Sequence, residues 1–161
     1  MLFRSRLVRE TVRAFVTKEV KPVSSLMDRE GRYPKELVHK LSEIGLMGAM
    51  VPLEYGGSGM DPVCYVIALE EISRGWASLG AIMTVNNSLV CDLLLRFGSE
   101  PQKERHLPSL AQGKRLGCYA LTEPDAGSDA GSIKTRARRS SLPQSRRTLT
   151  VSDSPSTRQP I

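Results

Sequence analysis

With 161 residues, the chain is long enough for one domain of ordinary size, about 100 to 150 residues, and a further fragment. Its net charge of +6 would suggest an anionic partner, but residues 133–161 carry all of the excess, with seven basic residues against Asp153 alone. Residues 1–132 hold 16 basic and 16 acidic residues, which argues against a nucleic-acid-binding domain. No stretch approaches the roughly 20 apolar residues of a membrane span, so we predict a soluble chain.

The cysteines and histidines do not have the spacing of a metal site. Cys64, Cys91 and Cys118 are far apart, odd in number and surrounded by apolar residues, so we predict buried, reduced thiols. His39 and His106 are isolated and are predicted to lie on the surface. The sequence therefore predicts no metal site.

Helical periodicity begins near the N-terminus. Apolar residues recur every three or four positions over residues 5–20, which predicts an amphipathic helix that Pro22 ends. The basic residues within 1–13 are faintly similar to a mitochondrial presequence, but the periodicity favours a helix of the mature fold. A second helix is predicted from Pro34 to about Ile44, with Gly45 after it.

A glycine cluster and two further helices follow. The glycines of residues 54–59 could cradle a phosphate, but the lysine and spacing of a nucleotide loop are missing, so we predict a connecting loop. Asp61 and Pro62 predict the N-cap and first residue of a third helix. Residues 77–97 predict a long, mostly apolar, buried helix, and a last helix falls within residues 100–113.

Two polar groups within these helices allow a functional interpretation. Glu70 and Glu71 could serve in acid–base chemistry, but adjacent helical residues point about 100° apart, so a solvated pair near Arg74 is favoured. The polar run at 86–88, Asn-Asn-Ser, either bonds to neighbouring elements or forms a pocket wall.

The stretch from Tyr119 to Ser132 has the composition of a ligand-binding loop. Residues 116–122 alternate as a short strand does, and Pro124 ends that strand. Gly127 allows close approach of the backbone to a ligand, and nearby hydroxyl groups provide hydrogen-bonding partners. A polar ring system or a phosphate would fit such a loop, whereas a shorter Gly-Ser pair would indicate only a surface turn.

The ten residues 120–129, Ala-Leu-Thr-Glu-Pro-Asp-Ala-Gly-Ser-Asp, resemble the first signature of the acyl-CoA dehydrogenases. Residues 51–59 and 100–113 are also similar to that family, and residues 70–75 and 82–89 resemble its short-chain branch in particular. Asp125 stands where many members carry a small residue. The resemblance covers about residues 6–132.

The resemblance implies FAD as the cofactor and short-chain acyl-CoA as the substrate. It implies that Thr122 bonds near the reactive flavin edge and that Ser128 also touches the substrate. It assigns the catalytic glutamate to a later domain, so no catalytic residue is predicted in this chain. The implied flavin-binding residues are Tyr119, Ala120, Leu121, Thr122, Glu123, Pro124, Asp125, Ala126, Gly127 and Ser128.

The predicted fold is mainly α, with three parts. Residues 1–115 form a helical bundle of the acyl-CoA dehydrogenase N-terminal type, residues 116–132 form a short β stub with the flavin loop, and residues 133–161 form a disordered basic tail. The tail is rich in Arg and Ser and has no aromatic residue, so specific nucleic-acid binding is not predicted. The abrupt change of composition suggests an alternative exon or a shifted reading frame.

Two functions remain open. The first is a truncated acyl-CoA dehydrogenase of fatty acid β-oxidation that is inactive alone, with electron-transfer flavoprotein as the electron acceptor and the mitochondrial matrix as its location. The second is a non-catalytic helical module that binds a partner. The family forms homotetramers chiefly through a helical domain that these residues do not match, so a tight tetramer is not predicted.

Overall fold

The computed structural model describes residues 2–135, and the predicted disordered tail lies, from residue 136 onward, outside the described residues. The chain divides into two units, Met1–Tyr119 and Ala120–Ile161.

The first unit is helical, which confirms the predicted mainly α fold. Seven α-helices occur in the described residues, together with π-helical segments at Val16–Val20 and Val85–Cys91 and a short 3₁₀ turn at Leu53–Tyr55. The α-helices are α1 (Leu2–Phe15), α2 (Lys21–Glu30), α3 (Lys35–Glu43), α4 (Pro62–Gly75), α5 (Ala77–Thr84), α6 (Asp92–Phe97) and α7 (Glu100–Ala111).

The prediction that Pro22 ends the first helix is wrong. The backbone passes from α1 through the π segment into α2, where Pro22 occupies the first turn. Proline is tolerated there because its missing N–H falls at the start of a new α-helical register. The helical path instead ends at Gly31, whose φ of 60° is left-handed. Its N–H donates to the Asp28 carbonyl at 3.3 Å, and the Arg32 N–H donates to Met27 at 2.9 Å, which is a Schellman ending.

The predictions for α3 and α4 are confirmed. Gly45 follows α3 with a φ of 76°, as a glycine after a helix commonly does. The Asp61 carboxylate accepts the Cys64 N–H at 3.0 Å, and Pro62 opens α4. Residues next to the helices in the sequence therefore determine where α3 ends and where α4 begins.

The core joins four helices. Its main cluster packs residues of α1, α3, α4 and α5 around side chains with almost no solvent exposure, and a smaller cluster packs α7 against the second π segment. Fully buried members of the main cluster include Val20, Leu41, Leu46, Met47, Ile72, Leu79 and Met83.

Residues 77–97 form a continuous helical path through α5, the second π segment and α6. Among the described residues this is the one helix whose length and mean hydropathy, 1.4, would suffice to cross a membrane, so the prediction that no such stretch exists needs correction. A third of its most apolar window is buried inside the fold. Asn86 and Asn87 on the same helix bond to neighbouring carbonyl groups, as expected for a core helix.

The prediction of a solvated Glu70–Glu71 pair is wrong for Glu71. Its side chain is 4% exposed, and Arg13 donates to its two oxygens at 2.7 Å and 3.0 Å. Arg9 donates to it at 3.2 Å. The packing of α1 on α4 brings these guanidinium groups over the carboxylate, and their hydrogen bonds offset its desolvation. Glu70 remains about half exposed.

We predict that Glu71→Gln destabilises the fold in a pH-dependent way. Hydrogen bonding from Arg13 holds the pKa of Glu71 below its ordinary value of 4.5. A lowered folded-state pKa adds stability above the unfolded-state value and loses it as pH falls below about 4.5. The variant should lose about 1–3 kcal/mol at pH 7, and its difference from the wild type should shrink in acid, as measured by urea unfolding between pH 3 and pH 7.

Glu70→Gln is the matched control for this prediction. Its carboxylate meets Arg9 at 3.3 Å on the surface, where an ion pair contributes about 0–1 kcal/mol. If Glu70→Gln and Glu71→Gln lowered the free energy of unfolding equally, the assignment of Glu71 as the buried carboxylate of the pair would be contradicted.

Candidate functional site

The chain leaves the helices through an irregular segment held by backbone hydrogen bonds. Gly113 follows α7 with a φ of 63°, and the Arg115 N–H donates to the Ser109 carbonyl at 3.0 Å. The predicted strand over residues 116–122 is not formed. Within residues 2–135 the β pairing consists of one isolated bridge, Glu123 with Ala126. An alternating pattern becomes a strand only beside a second strand, and no described segment pairs with this one.

Gly117 is the anchor of this segment. Its N–H donates to the Asn86 side-chain oxygen at 3.0 Å. A Cβ at this position would lie 2.6 Å from Cγ1 of Val90, and Val90 is β-branched and cannot readily move away. Close contact with the second π segment therefore requires glycine here.

An apolar groove of about 350 Å³ lies beside this anchor. Cys118 lines it and is exposed, so the prediction of three buried thiols is wrong for this one, while Cys64 and Cys91 are buried and unpaired as predicted. Burial raises the pKa of the Cys91 thiol to about 11. The groove is lined by Leu89, Val90, Leu93, Leu94, Phe97, Gly98, Gln102, Cys118 and Tyr119.

The side chains of Asn86 and Asn87 form hydrogen bonds within the fold. Asn86 donates to the Met47 and Leu110 carbonyls at 2.8 Å and 3.2 Å, and Asn87 donates to Leu46 and Met83 at 2.8 Å and 3.0 Å. Both side chains are buried. The interpretation as bonds to neighbouring elements therefore holds for these two amides.

The second unit begins with a tight turn that contains most of the predicted flavin residues. Glu123 and Ala126 exchange backbone hydrogen bonds at 2.7 Å and 3.3 Å. The Glu123 carboxylate accepts the N–H groups of Lys134 and Thr135 at 2.9 Å and 2.7 Å. Hydrogen bonding from Thr135 holds the pKa of Glu123 below its ordinary value. Glu123 thus closes the loop formed by residues 123–135.

Most of the predicted flavin residues point to solvent. Ala126 is buried, and Glu123 and Gly127 are partly buried. The exposed members are Tyr119, Ala120, Leu121, Thr122, Pro124, Asp125 and Ser128.

The turn offers hydrogen-bonding groups that the described fold does not use. Several of its groups make no hydrogen bond to another residue of 2–135. They are the backbone N–H groups of Thr122, Gly127 and Ser128 and the side-chain hydroxyl groups of Thr122 and Ser128. Gly127 lacks a positive φ, and a Cβ there would meet Thr122 at 3.5 Å, an ordinary contact. Neither the backbone nor the packing of the turn demands glycine at 127. Such a position suits close approach by a ligand.

Sequence reasoning missed the contact between Asn86 and Gly117. The two residues are 31 positions apart, and no local pattern joins them. The signal that could have indicated it is a glycine within an alternating apolar segment, which often marks close approach of another element.

Comparison with known proteins identifies the class of this fold. Residues 4–114 match the family described as "Acyl-CoA dehydrogenase, N-terminal domain". The chain belongs to the acyl-CoA dehydrogenase family.

Its relatives include short-chain members. The chain is 47% identical over 133 residues to "Short-chain specific acyl-CoA dehydrogenase, mitochondrial" of Bos taurus, which covers 83% of this chain and 32% of that protein. It is 45% identical over 131 residues to "Acyl-CoA dehydrogenase" of Bacillus subtilis, with 81% and 35% covered. The solved butyryl-CoA dehydrogenase of Megasphaera elsdenii superposes with a TM-score of 0.77 at 33% identity, over 86% of this chain and 37% of that one. The chain thus spans about a third of the length of these relatives.

We predict that alanine lowers the stability of the fold at Gly117 and hardly changes it at Gly127. Gly117→Ala places a methyl group against Val90 and should cost about 1–3 kcal/mol of folding free energy. Gly127→Ala has room and should change stability by at most about 0.5 kcal/mol. Urea unfolding of the two variants beside the wild type measures both values.

Proposed function

We propose that this chain forms the N-terminal domain and the first flavin-contacting segment of an FAD-dependent short-chain acyl-CoA dehydrogenase. Such an enzyme desaturates the α,β bond of an acyl-CoA thioester in fatty acid β-oxidation. Family membership and the similarity to short-chain relatives support this assignment. The observation that carries it is the turn at residues 122–128, which offers unused hydrogen-bond donors beside a glycine that the fold does not require.

The turn suits the polar edge of a flavin. When bound, FAD supplies a hydride acceptor, and the protein supplies orientation and hydrogen bonds. The Thr122 hydroxyl and the N–H groups at 127 and 128 are exposed or partly exposed donors of the type that a ring carbonyl or ring nitrogen accepts. Gly127 leaves space for a ring to approach the backbone. We assign Ser128 an additional contact with the acyl-CoA substrate.

Two carboxylates of this chain that could be considered as bases, Glu71 and Glu123, form other interactions. Glu71 is buried beneath Arg13 and Arg9, and Glu123 holds two backbone N–H groups of its own loop. Both pKa values are lowered by these hydrogen bonds, which makes proton abstraction at neutral pH less favourable. We therefore propose that neither is the catalytic base and that the 161 residues alone do not turn over substrate.

Partners and location follow from the family assignment. We propose electron-transfer flavoprotein as the electron acceptor. The mitochondrial matrix is our proposed location, supported by the mitochondrial relatives, although bacterial relatives are similar to nearly the same degree.

A partner-binding module without catalysis is the second candidate. The observation that favours it is the exposed apolar groove beside Gly117, where Phe97 is 79% exposed. An exposed apolar surface of this kind suits contact with another protein domain.

We predict that FAD binds the purified chain and that Thr122→Val weakens binding. Loss of one hydroxyl hydrogen bond should raise the dissociation constant roughly 3- to 10-fold. Titration followed by flavin fluorescence and visible absorbance measures this value. Thr122→Ser, which keeps the hydroxyl, should bind as the wild type does, and so should Thr17→Val, a change at an exposed threonine of the first π segment.

Absence of FAD binding by a folded, helical wild-type sample would argue against the flavin assignment and favour the partner-binding module. Equal weakening by Thr122→Val and Thr122→Ser would argue against a role for the hydroxyl group.

We also predict no measurable dehydrogenation of butyryl-CoA by the FAD-loaded chain with an artificial electron acceptor. Loss of a general base alone usually lowers the rate about 10²- to 10⁴-fold. The loss of absorbance of the artificial electron acceptor, measured at high concentrations of the chain, detects any dehydrogenation. Turnover that Glu71→Gln or Glu123→Gln abolished would instead place the base within this chain.

A further inference from the structure

Two adjacent buried asparagines hold different parts of the fold. Asn86 and Asn87 both lie in the second π segment and are at most 2% exposed. Each donates two hydrogen bonds to carbonyl groups and accepts one from a backbone N–H. They are therefore closely matched in burial and in hydrogen bonding.

The two amides differ in the segments that they join. Asn87 bonds to Leu46, Ala49 and Met83, which all belong to the helical core or to the loop after α3. Asn86 bonds to Met47 and to Leu110 at the end of α7, and its oxygen accepts the Gly117 N–H. Only Asn86 of this pair contacts the segment that leads from α7 to the predicted flavin residues.

We propose that Asn86 is a positioning residue for the flavin-contacting segment. This inference rests on the proposed flavin role of residues 119–128. Asn86 fixes Gly117, and Tyr119, the first residue of that segment, follows two residues later. Two residues span at most about 7 Å, so holding Gly117 confines the point at which the chain enters the segment.

Steric contact adds to the hydrogen bond. Gly117 lies so close to Val90 that no side chain fits, and Cys118 and Tyr119 line the groove beside it. Asn86 through a hydrogen bond and Val90 through close contact thus both restrict the backbone at Gly117. A π segment places them on a widened turn, a feature that is frequent at functional sites.

The amide of Asn86 suits this task because it can satisfy a donor and two acceptors at once. Its NH₂ group donates to the Met47 and Leu110 carbonyl groups, while its side-chain oxygen accepts the Gly117 N–H. A carboxylate could not donate and an alkyl side chain could do neither, so a substitution would leave buried backbone groups unpaired.

The test compares Asn86→Ala with Asn87→Ala in the full 161-residue chain. Both variants lose two hydrogen bonds to carbonyl groups and one from a backbone N–H, and Asn86→Ala also loses a weak contact with the Cys91 sulfur at 4.0 Å, so they should be destabilised to a similar degree in urea. Hydrogen–deuterium exchange of the Gly117 amide, followed by NMR, should accelerate at least tenfold in Asn86→Ala relative to Asn87→Ala. The FAD dissociation constant should rise roughly 3- to 10-fold in Asn86→Ala alone.

Equal exchange and equal FAD affinity in the two variants would overturn the proposal, because a purely structural role predicts matched effects. If the wild type does not bind FAD, the proposed function fails, and the exchange comparison alone decides whether Asn86 holds the segment. Should Asn86→Ala not fold, Asn86→Ser carries the same comparison against Asn87→Ser, since a serine hydroxyl is too short to span the same three partners.

Discussion

The buried amides of Asn86 and Asn87 are the interaction on which the rest of this structure depends. They bond to backbone groups of the loop after α3, the end of α7 and the segment at Gly117. Buried backbone groups without partners are costly. One apolar helix can therefore serve as the centre of the fold only because two polar residues on it connect the surrounding loops.

Around that centre, helix packing supplies most of the stability. The α1 helix packs on α4 through apolar side chains, and Arg9 and Arg13 cover the Glu71 carboxylate at the edge of the contact. This arrangement orients α1 as well as attaching it, because a buried carboxylate requires its donors in specific places.

Several polar groups of the turn at residues 122–128, unlike the Glu71 carboxylate, are not used by the described fold. Its hydroxyl groups and its glycine at 127 contribute little to the described fold, and most of its residues are exposed. Gly117, by contrast, is required by its contact with Val90. Between Gly117 and Gly127 the chain thus changes from a glycine that packing requires to one that packing does not require, and the second is the one placed in the proposed flavin turn.

The sequence by itself determined the features that depend on a few neighbouring residues: the helical periodicity of α3 and α4, the Asp61 cap, the glycine after α3, and the family to which residues 4–114 belong. Only the tertiary structure decided whether Pro22 ended a helix, whether Glu71 was solvated, whether Cys118 was buried and whether residues 116–122 paired as a strand. The outcome at Glu71 depends on partners far away in the sequence, the arginines of α1, and the strand over residues 116–122 would likewise need a distant partner. A local pattern specifies what a residue can do, and the packed neighbours decide which of those possibilities is realised.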